Sequence, residues 1–196
     1  MTKIMKKYLF NILLLYLFIY SYEQNEINLI VLGSGTKNIL NNAFYLDPSE
    51  VIVNDISKPS CKKSCYLDRD DQNYIIIKFS QGINNCQNMF NGLTDIIEID
   101  ISKLSTSLVT NMAQMFKDCK KLKKINLGNI DTSNVINMHE MFSHCESLTS
   151  IDVSKFNTKK VTDMGDMFGY MYKLYAIDVS NFDTKNTKDI SGMFYE

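Results

Sequence analysis

The sequence is short of several residue types that mark particular protein classes. Its 196 residues include no Trp, one Arg (Arg69), 2 His and 2 Pro. Arg is the usual reader of guanine edges and phosphates, and 21 basic residues face 22 acidic ones, so duplex nucleic-acid binding is disfavoured. The scarcity of Pro, with only 8 Gly, excludes collagen-like and Pro-rich chains. A hydrophobic share of 45% excludes a disordered chain.

Only the N-terminus carries a long apolar run. Lys3, Lys6 and Lys7 precede the thirteen apolar-rich residues Tyr8–Tyr20, and polar residues follow. Such a helix would be about 20 Å long, short of a ~30 Å hydrocarbon core. The pattern favours a cleaved secretory signal over residues 1–21. An uncleaved signal anchor stays open, because no small residue stands three positions before the expected cut.

The main positive signal is an internal repeat. The dipeptide Met-Phe recurs every 26 residues, at Met89-Phe90, Met115-Phe116, Met141-Phe142, Met167-Phe168 and Met193-Phe194. Neighbouring apolar residues keep the same register, and an Ile stands ten residues after the Met in each of the first four units. Because Met recurs in every unit, we interpret it as a gap-filling core residue and not as a metal or cofactor ligand.

Two periodicities alternate inside each unit. The apolar residues of 135–145 follow a three-to-four spacing, which predicts a helix, with Asp131, Thr132 and Ser133 ahead of it as N-cap candidates. Residues 151–154 alternate apolar and polar, which predicts a short strand. The predicted fold is therefore α/β: a leucine-rich-repeat-like solenoid over residues 81–196, with a parallel sheet on one side and short helices on the other.

Residues 22–80 lack the repeat and are predicted to form a small β-rich N-terminal cap, which we call the head. Its strand candidates are residues 27–32, 50–55 and 74–79, separated by Gly-, Pro- and Asp-rich turns. A stack of repeats needs such a cap, since its first layer would otherwise expose an apolar end.

The five cysteines fall into two groups. Cys61 and Cys65 lie in a polar loop of the head and are predicted to form a local disulfide, provided that the chain is secreted. Cys86, Cys119 and Cys145 occupy apolar positions of the repeat and are predicted to be buried free thiols. Packed helices about 10 Å apart would hold Cys119 and Cys145 too far from each other for a bridge.

The strand side of the repeats supplies the candidate binding surface. Side chains that point away from the core there are predicted to form a flat, mildly acidic face, with Glu98, Asp100, Lys124, Asn126, Ser150, Asp152 and Asp178 as its main members. Weak calcium binding by the carboxylates is one interpretation. We favour the other, in which each Asp closes the turn after its strand by accepting a backbone N–H bond.

Tyr170, Tyr172 and Tyr175 cluster in the fourth unit. One interpretation is that these exposed tyrosines anchor a binding partner. The other is that they cover the end of the repeat stack, and both interpretations stay open. No nucleophile–base pair, catalytic carboxylate pair or phosphate loop is recognisable, so we expect neither enzyme activity nor a metal or cofactor.

The unit M-x-x-M-F-x-x-C-x-x-L-x-x-I-D-V-S-x-F-D-T-x-x-V is present at Met138–Val161, with Asn157 in place of the Asp. It resembles the BspA-type leucine-rich repeat of bacterial and protist surface proteins, over about Gly82–Glu196. The resemblance implies a secreted or cell-surface module that binds a protein or glycan in adhesion, without catalysis. The alternative is a structural or matrix protein that self-associates through the C-terminal end of its stack.

Overall fold

The computed structural model describes residues 25–196 and, ahead of them, Tyr8, Asn11 and Ile12, which are helical. The predicted signal at residues 1–21 lies outside the described residues apart from those three. Within the part of the chain that the structure describes, no helix is both long enough and apolar enough to cross a membrane.

Eight strands are present between residues 25 and 126. They are β1 (Asn25–Leu32), β2 (Gly35–Asn38), β3 (Glu50–Val53), β4 (Ile56–Ser57), β5 (Ser64–Leu67), β6 (Gln72–Lys78), β7 (Ile96–Leu104) and β8 (Lys124–Asn126). Six form one sheet in the order β4-β3-β6-β1-β7-β8, and β2 pairs with β5 in a second sheet. Strands β7 and β8 are parallel, and the other neighbours are antiparallel.

The three strands predicted in the head are confirmed as β1, β3 and β6. Each alternates buried with half-buried or exposed residues, as an apolar residue at every second position requires. Strand β1 lies between β6 of the head and β7 of the first repeat unit. The head and the repeats therefore share one sheet and one hydrophobic core.

Each repeat unit contributes one layer to a stack, and consecutive layers are joined by parallel bridges at Asn85, Asn111, Asn137, Asp163 and Asp189. Four backbone N–H groups of each layer donate to carbonyls of the next. From the second layer to the third, all four N···O distances are 2.9 Å, and the pairs are Met112–Asn137, Gln114–His139, Phe116–Met141 and Asp118–Ser143. The first, third and fourth layers donate to their successors in the same way.

The predicted fold class is wrong, because residues 25–196 contain no helix and the expected helical solenoid is absent from them. A helical N–H donates to the carbonyl four residues earlier. Here every second N–H donates to the next layer, and intervening N–H groups close four-residue β-turns within the unit, such as Met115 N to Met112 O at 3.2 Å. Gln114 and Asp118 adopt a left-handed φ of 58°, as their counterparts in other layers do, and this prevents helix propagation.

The predicted parallel sheet is also limited to β7 and β8. Residues 151–154, predicted as a strand, are not assigned to one. A side chain from the next layer takes the place of a backbone ladder at these residues. Asn181 Nδ2 donates to the carbonyls of Val153 at 3.1 Å and Phe156 at 2.9 Å. Asn181 thus joins the strand sides of the third and fourth layers without β pairing.

The core consists of columns of like residues. Phenylalanine rings stack from layer to layer with centroid distances of 5.6, 5.1, 5.8 and 5.7 Å, along Phe90, Phe116, Phe142, Phe168 and Phe194. Met112, Met138 and Met164 form a parallel column and are fully buried. The interpretation of the recurring Met as a packing residue is confirmed.

The head closes the first layer. The Asn41 N–H donates to the Met89 carbonyl at 2.9 Å, and its Nδ2 donates to the Asn91 carbonyl at 2.6 Å. Met89 and Asn91 are equivalent to Met115 and Lys117 of the second layer, whose carbonyls accept hydrogen bonds from the first layer. The head thus satisfies polar groups that a preceding layer would otherwise bond.

Replacing Phe142 by Ala should lower the free energy of unfolding by about 3–5 kcal/mol, because the ring is fully buried between two others. Phe194→Ala is the matched control, since 52% of that residue is exposed, and it should cost about 1 kcal/mol. Urea unfolding measures both values. Equal losses would contradict the stacked-ring core.

Gly92 occupies the left-handed position that Asp118, His144 and Tyr170 fill in later layers. Its φ is 75°, and the space that the Cβ of another residue would occupy is open. Gly92→Ala should therefore cost about 1 kcal/mol from backbone strain alone. Gly82→Ala, outside the left-handed region, is the control for thermal unfolding. A stabilised Gly92→Ala protein would show that the position does not require a left-handed residue.

Candidate functional site

The candidate site lies on the face of the six-stranded sheet that points away from the core, which we call the outer face. Two rows of side chains cross it from strand to strand. The first row runs Ile52, Ile76, Asn28, Asp100, Asn126. The second row runs Tyr74, Ile30, Glu98, Lys124. Both rows start in the head and end in the second repeat unit.

The two rows border a groove of about 440 Å³ over β6, β1, β7 and β8. Two register shifts interrupt the β1–β7 pairing, between Glu26 and Asn28 and between Ile30 and Val31. Irregularities of this kind increase the local twist and bend of a sheet. The groove therefore lies at the irregular junction between the head strand β1 and the first repeat strand β7.

One half of the groove is apolar and consists of Ile30, Tyr74 and Ile76, which we call the apolar half. Tyr74 is 53% exposed, and the two isoleucines are half-buried. These residues were not predicted as site residues. The sequence did contain a signal for them. Alternation along a strand with one face in the core makes residues 30, 74 and 76 point outward, and apolar residues at such positions are unusual.

The other half is polar and contains four of the predicted surface residues, Glu98, Asp100, Lys124 and Asn126. Lys124 Nζ lies 3.4 Å from Glu98 Oε2. Asp100 accepts hydrogen bonds from the Ser102 N–H at 2.8 Å and from Asn126 Nδ2 at 3.0 Å. Burial opposes ionisation of Asp100, but these bonds outweigh it and hold its pKa below the ordinary value. Asp100 is therefore an anion at neutral pH.

A band of ion pairs borders the groove on one side. Lys78 Nζ lies 3.0 Å from Glu50 Oε2, and Lys103 Nζ lies 2.8 Å from Glu26 Oε1. These four residues alternate in sign across β3, β6, β1 and β7. Their charges balance, so this border adds no net charge to the groove.

The predicted turn role of the strand-side acids is confirmed. The Ser154 and Ser180 N–H groups donate at 2.9 Å to Asp152 and Asp178, and hydrogen bonds from these serines lower the pKa of each carboxyl group. Asp152, Asp178 and Ser150 are exposed and lie outside the groove. Among the described residues, no group of three or more His, Cys, Asp or Glu is placed to hold a metal ion.

The predicted tyrosine cluster is only partly brought together. Tyr170 stacks on His144 with ring centroids 4.3 Å apart, and Tyr172 and Tyr195 contact it edge-on. Tyr175 is 90% exposed and lines a separate small pocket beside Met171 at the last layers. The tyrosines lie apart from the groove on the outer face.

The cysteines are arranged in two separate places. Cys61 and Cys65 form a disulfide. Cys86, Cys119 and Cys145 are buried free thiols, as predicted. The predicted reason was wrong, because Cys119 and Cys145 belong to layers about one strand spacing apart and not to packed helices. Each of these two thiols instead donates to a backbone carbonyl, of Phe90 or Phe116, at 3.2 Å.

The layers, their ladder and the shared sheet define the class: a stacked-repeat protein with a β-sheet head. Residues 84–196 match the model of a family described as "Mycoplasma protein of unknown function, DUF285". The match covers more than half of the chain, and the protein belongs to this family. No curated protein and no solved structure matches the chain.

The three repeat thiols should resist alkylation by iodoacetamide at pH 8 in the folded protein. Burial raises the pKa of Cys86 and Cys119 to about 12 and that of Cys145 well above its usual value, so little reactive thiolate is present. Unfolding in urea should expose all three, while Cys61 and Cys65 should need a reductant as well. Mass spectrometry after tryptic digestion measures each site, and a Cys119–Cys145 disulfide would contradict this arrangement.

Proposed function

We propose that the chain is a secreted or cell-surface binding module and that its groove binds another protein. One observation carries the proposal: the groove is built jointly by the head and the first two repeat units, so it depends on the whole arrangement of the shared sheet. The resemblance of the repeats to the BspA type and the signal-like N-terminus support an extracellular location. Both are features of the sequence.

A protein ligand fits the groove better than a glycan does. Its lining is mostly apolar, and the isoleucines of the apolar half offer contact to aliphatic side chains and few hydrogen bonds to hydroxyl groups. Partly exposed Tyr and Ile beside charged groups are typical of the centre and rim of protein interfaces. Tyr74 is the exposed aromatic residue of this site and is its expected anchor.

Assembly through the end of the stack is the second candidate function. It is favoured by the exposure of Ile190 (54%), Phe194 (52%) and Tyr195 (58%) in the last layer. It is opposed at the other end, because Asn41 already occupies two carbonyls of the first layer. A head-to-tail contact between copies would therefore lack these acceptors.

Photo-cross-linking tests the groove directly. A benzoylphenylalanine at position 74 should capture a surface protein from the source organism or from cells it contacts. The same probe at Tyr66, which is 67% exposed on β5 of the second sheet, is the control. Tyr74→Ala should also weaken binding of the captured protein about tenfold, whereas Tyr66→Ala should leave it unchanged.

Equal capture from positions 74 and 66 would contradict a protein site in the groove. Capture of glycan alone would replace the protein ligand by a carbohydrate one. Sedimentation of the purified protein as concentration-dependent oligomers, lost on Phe194→Ala, would instead support assembly through the end of the stack.

A further inference from the structure

We infer that the partner segment in the groove is basic and aliphatic, with a Lys or Arg side chain on Asp100 and an apolar side chain on Ile76 and Tyr74. This inference rests on the proposed function and specifies the ligand. It follows from the charges of the polar half, from the spacing of the two halves and from the size of the groove.

The two acidic side chains of the polar half differ in their partners. Glu98 lies beside Lys124, which offsets its charge. The hydrogen bonds to Asp100 come from neutral donors, the N–H and side chain of Ser102 and the Asn126 amide. Lys103 is near enough to favour ionised Asp100, but its ammonium group bonds Glu26 at 2.8 Å. Asp100 thus keeps acceptor capacity for a further donor, and a cation offers the strongest one.

Spacing relates this carboxylate to the apolar half. Ile76 and Asp100 belong to the same row, and Asn28 of β1 lies between them. Strands in a sheet are about 4.8 Å apart, so the two side chains lie about 10 Å from each other. An extended peptide covers that distance in about three residues, and a Lys or Arg stem reaches part of it.

An acidic ligand would place its charge beside both Glu98 and Asp100, where the nearby cations Lys124 and Lys103 already pair with Glu98 and Glu26. A wholly apolar ligand would remove water from ionised Asp100 without replacing its hydrogen bonds, which costs free energy. A ligand with one cation beside its apolar group avoids both costs. The groove therefore selects by charge as well as by shape.

The charge of Asp100 is separable from its structural role. Asn126 occupies the same turn position one layer later, and its Oδ1 accepts the Gly128 N–H at 3.1 Å. An amide therefore closes this turn as a carboxylate does. Asp100→Asn should keep the turn and remove the charge, together with the hydrogen bond from Asn126 Nδ2. Asp152→Asn removes the charge from an equivalent turn outside the groove.

The test uses a phage-displayed library of random 12-residue peptides, selected on the immobilised full chain. Sequences with a Lys or Arg about three residues from an aliphatic residue should be enriched. The enriched peptides should bind Asp100→Asn about tenfold more weakly than the unchanged protein, because a charge-assisted hydrogen bond is lost. Asp152→Asn should bind the peptides as tightly as the unchanged protein does. Added salt should weaken peptide binding to Asp152→Asn and to the unchanged protein, but not to Asp100→Asn.

The other outcomes separate the two proposals. Peptides that lose binding on Tyr74→Ala but carry no cation, or that bind Asp100→Asn unchanged, would overturn this inference while the groove remains a protein site. Enriched peptides that are insensitive to both Tyr74→Ala and Asp100→Asn would overturn the groove as a protein site and this inference with it.

Discussion

The fold depends on the backbone ladder between layers. Every second N–H of the segment around Met-Phe donates to a carbonyl of the next layer, so no unit satisfies all of its own backbone polar groups. Buried backbone groups without partners are costly, and each layer therefore needs its neighbour. The ladder also sets the spacing at which phenylalanine rings stack 5.1–5.8 Å apart.

This constraint divides the residues between structure and recognition. The ladder and the columns occupy the interior of the stack, whereas the outer face of the sheet carries side chains that neither the ladder nor the columns use. Strand β1 extends that face into the head by pairing with β7. The groove forms at this junction, so recognition there combines apolar residues of the head with charged residues of the repeats.

Much of the core was predictable because its residues recur at fixed positions of the 26-residue repeat. Buried Met, Phe and Cys positions, the head strands and the turn role of Asp152 all follow from local pattern. The helices were wrongly predicted, because successive β-turns give the same three-to-four apolar spacing as a helix. Left-handed residues such as Gln114 and His144 carry no glycine signal. The groove depends on pairing between distant strands, which no local pattern records.

Scalar coupling across hydrogen bonds in an NMR experiment tests the ladder most directly. The account predicts coupling between the amide nitrogen of Phe116 and the carbonyl carbon of Met141 in the next layer. Coupling from Phe116 to the carbonyl of Met112 in its own unit would instead indicate a helical repeat and would contradict the account.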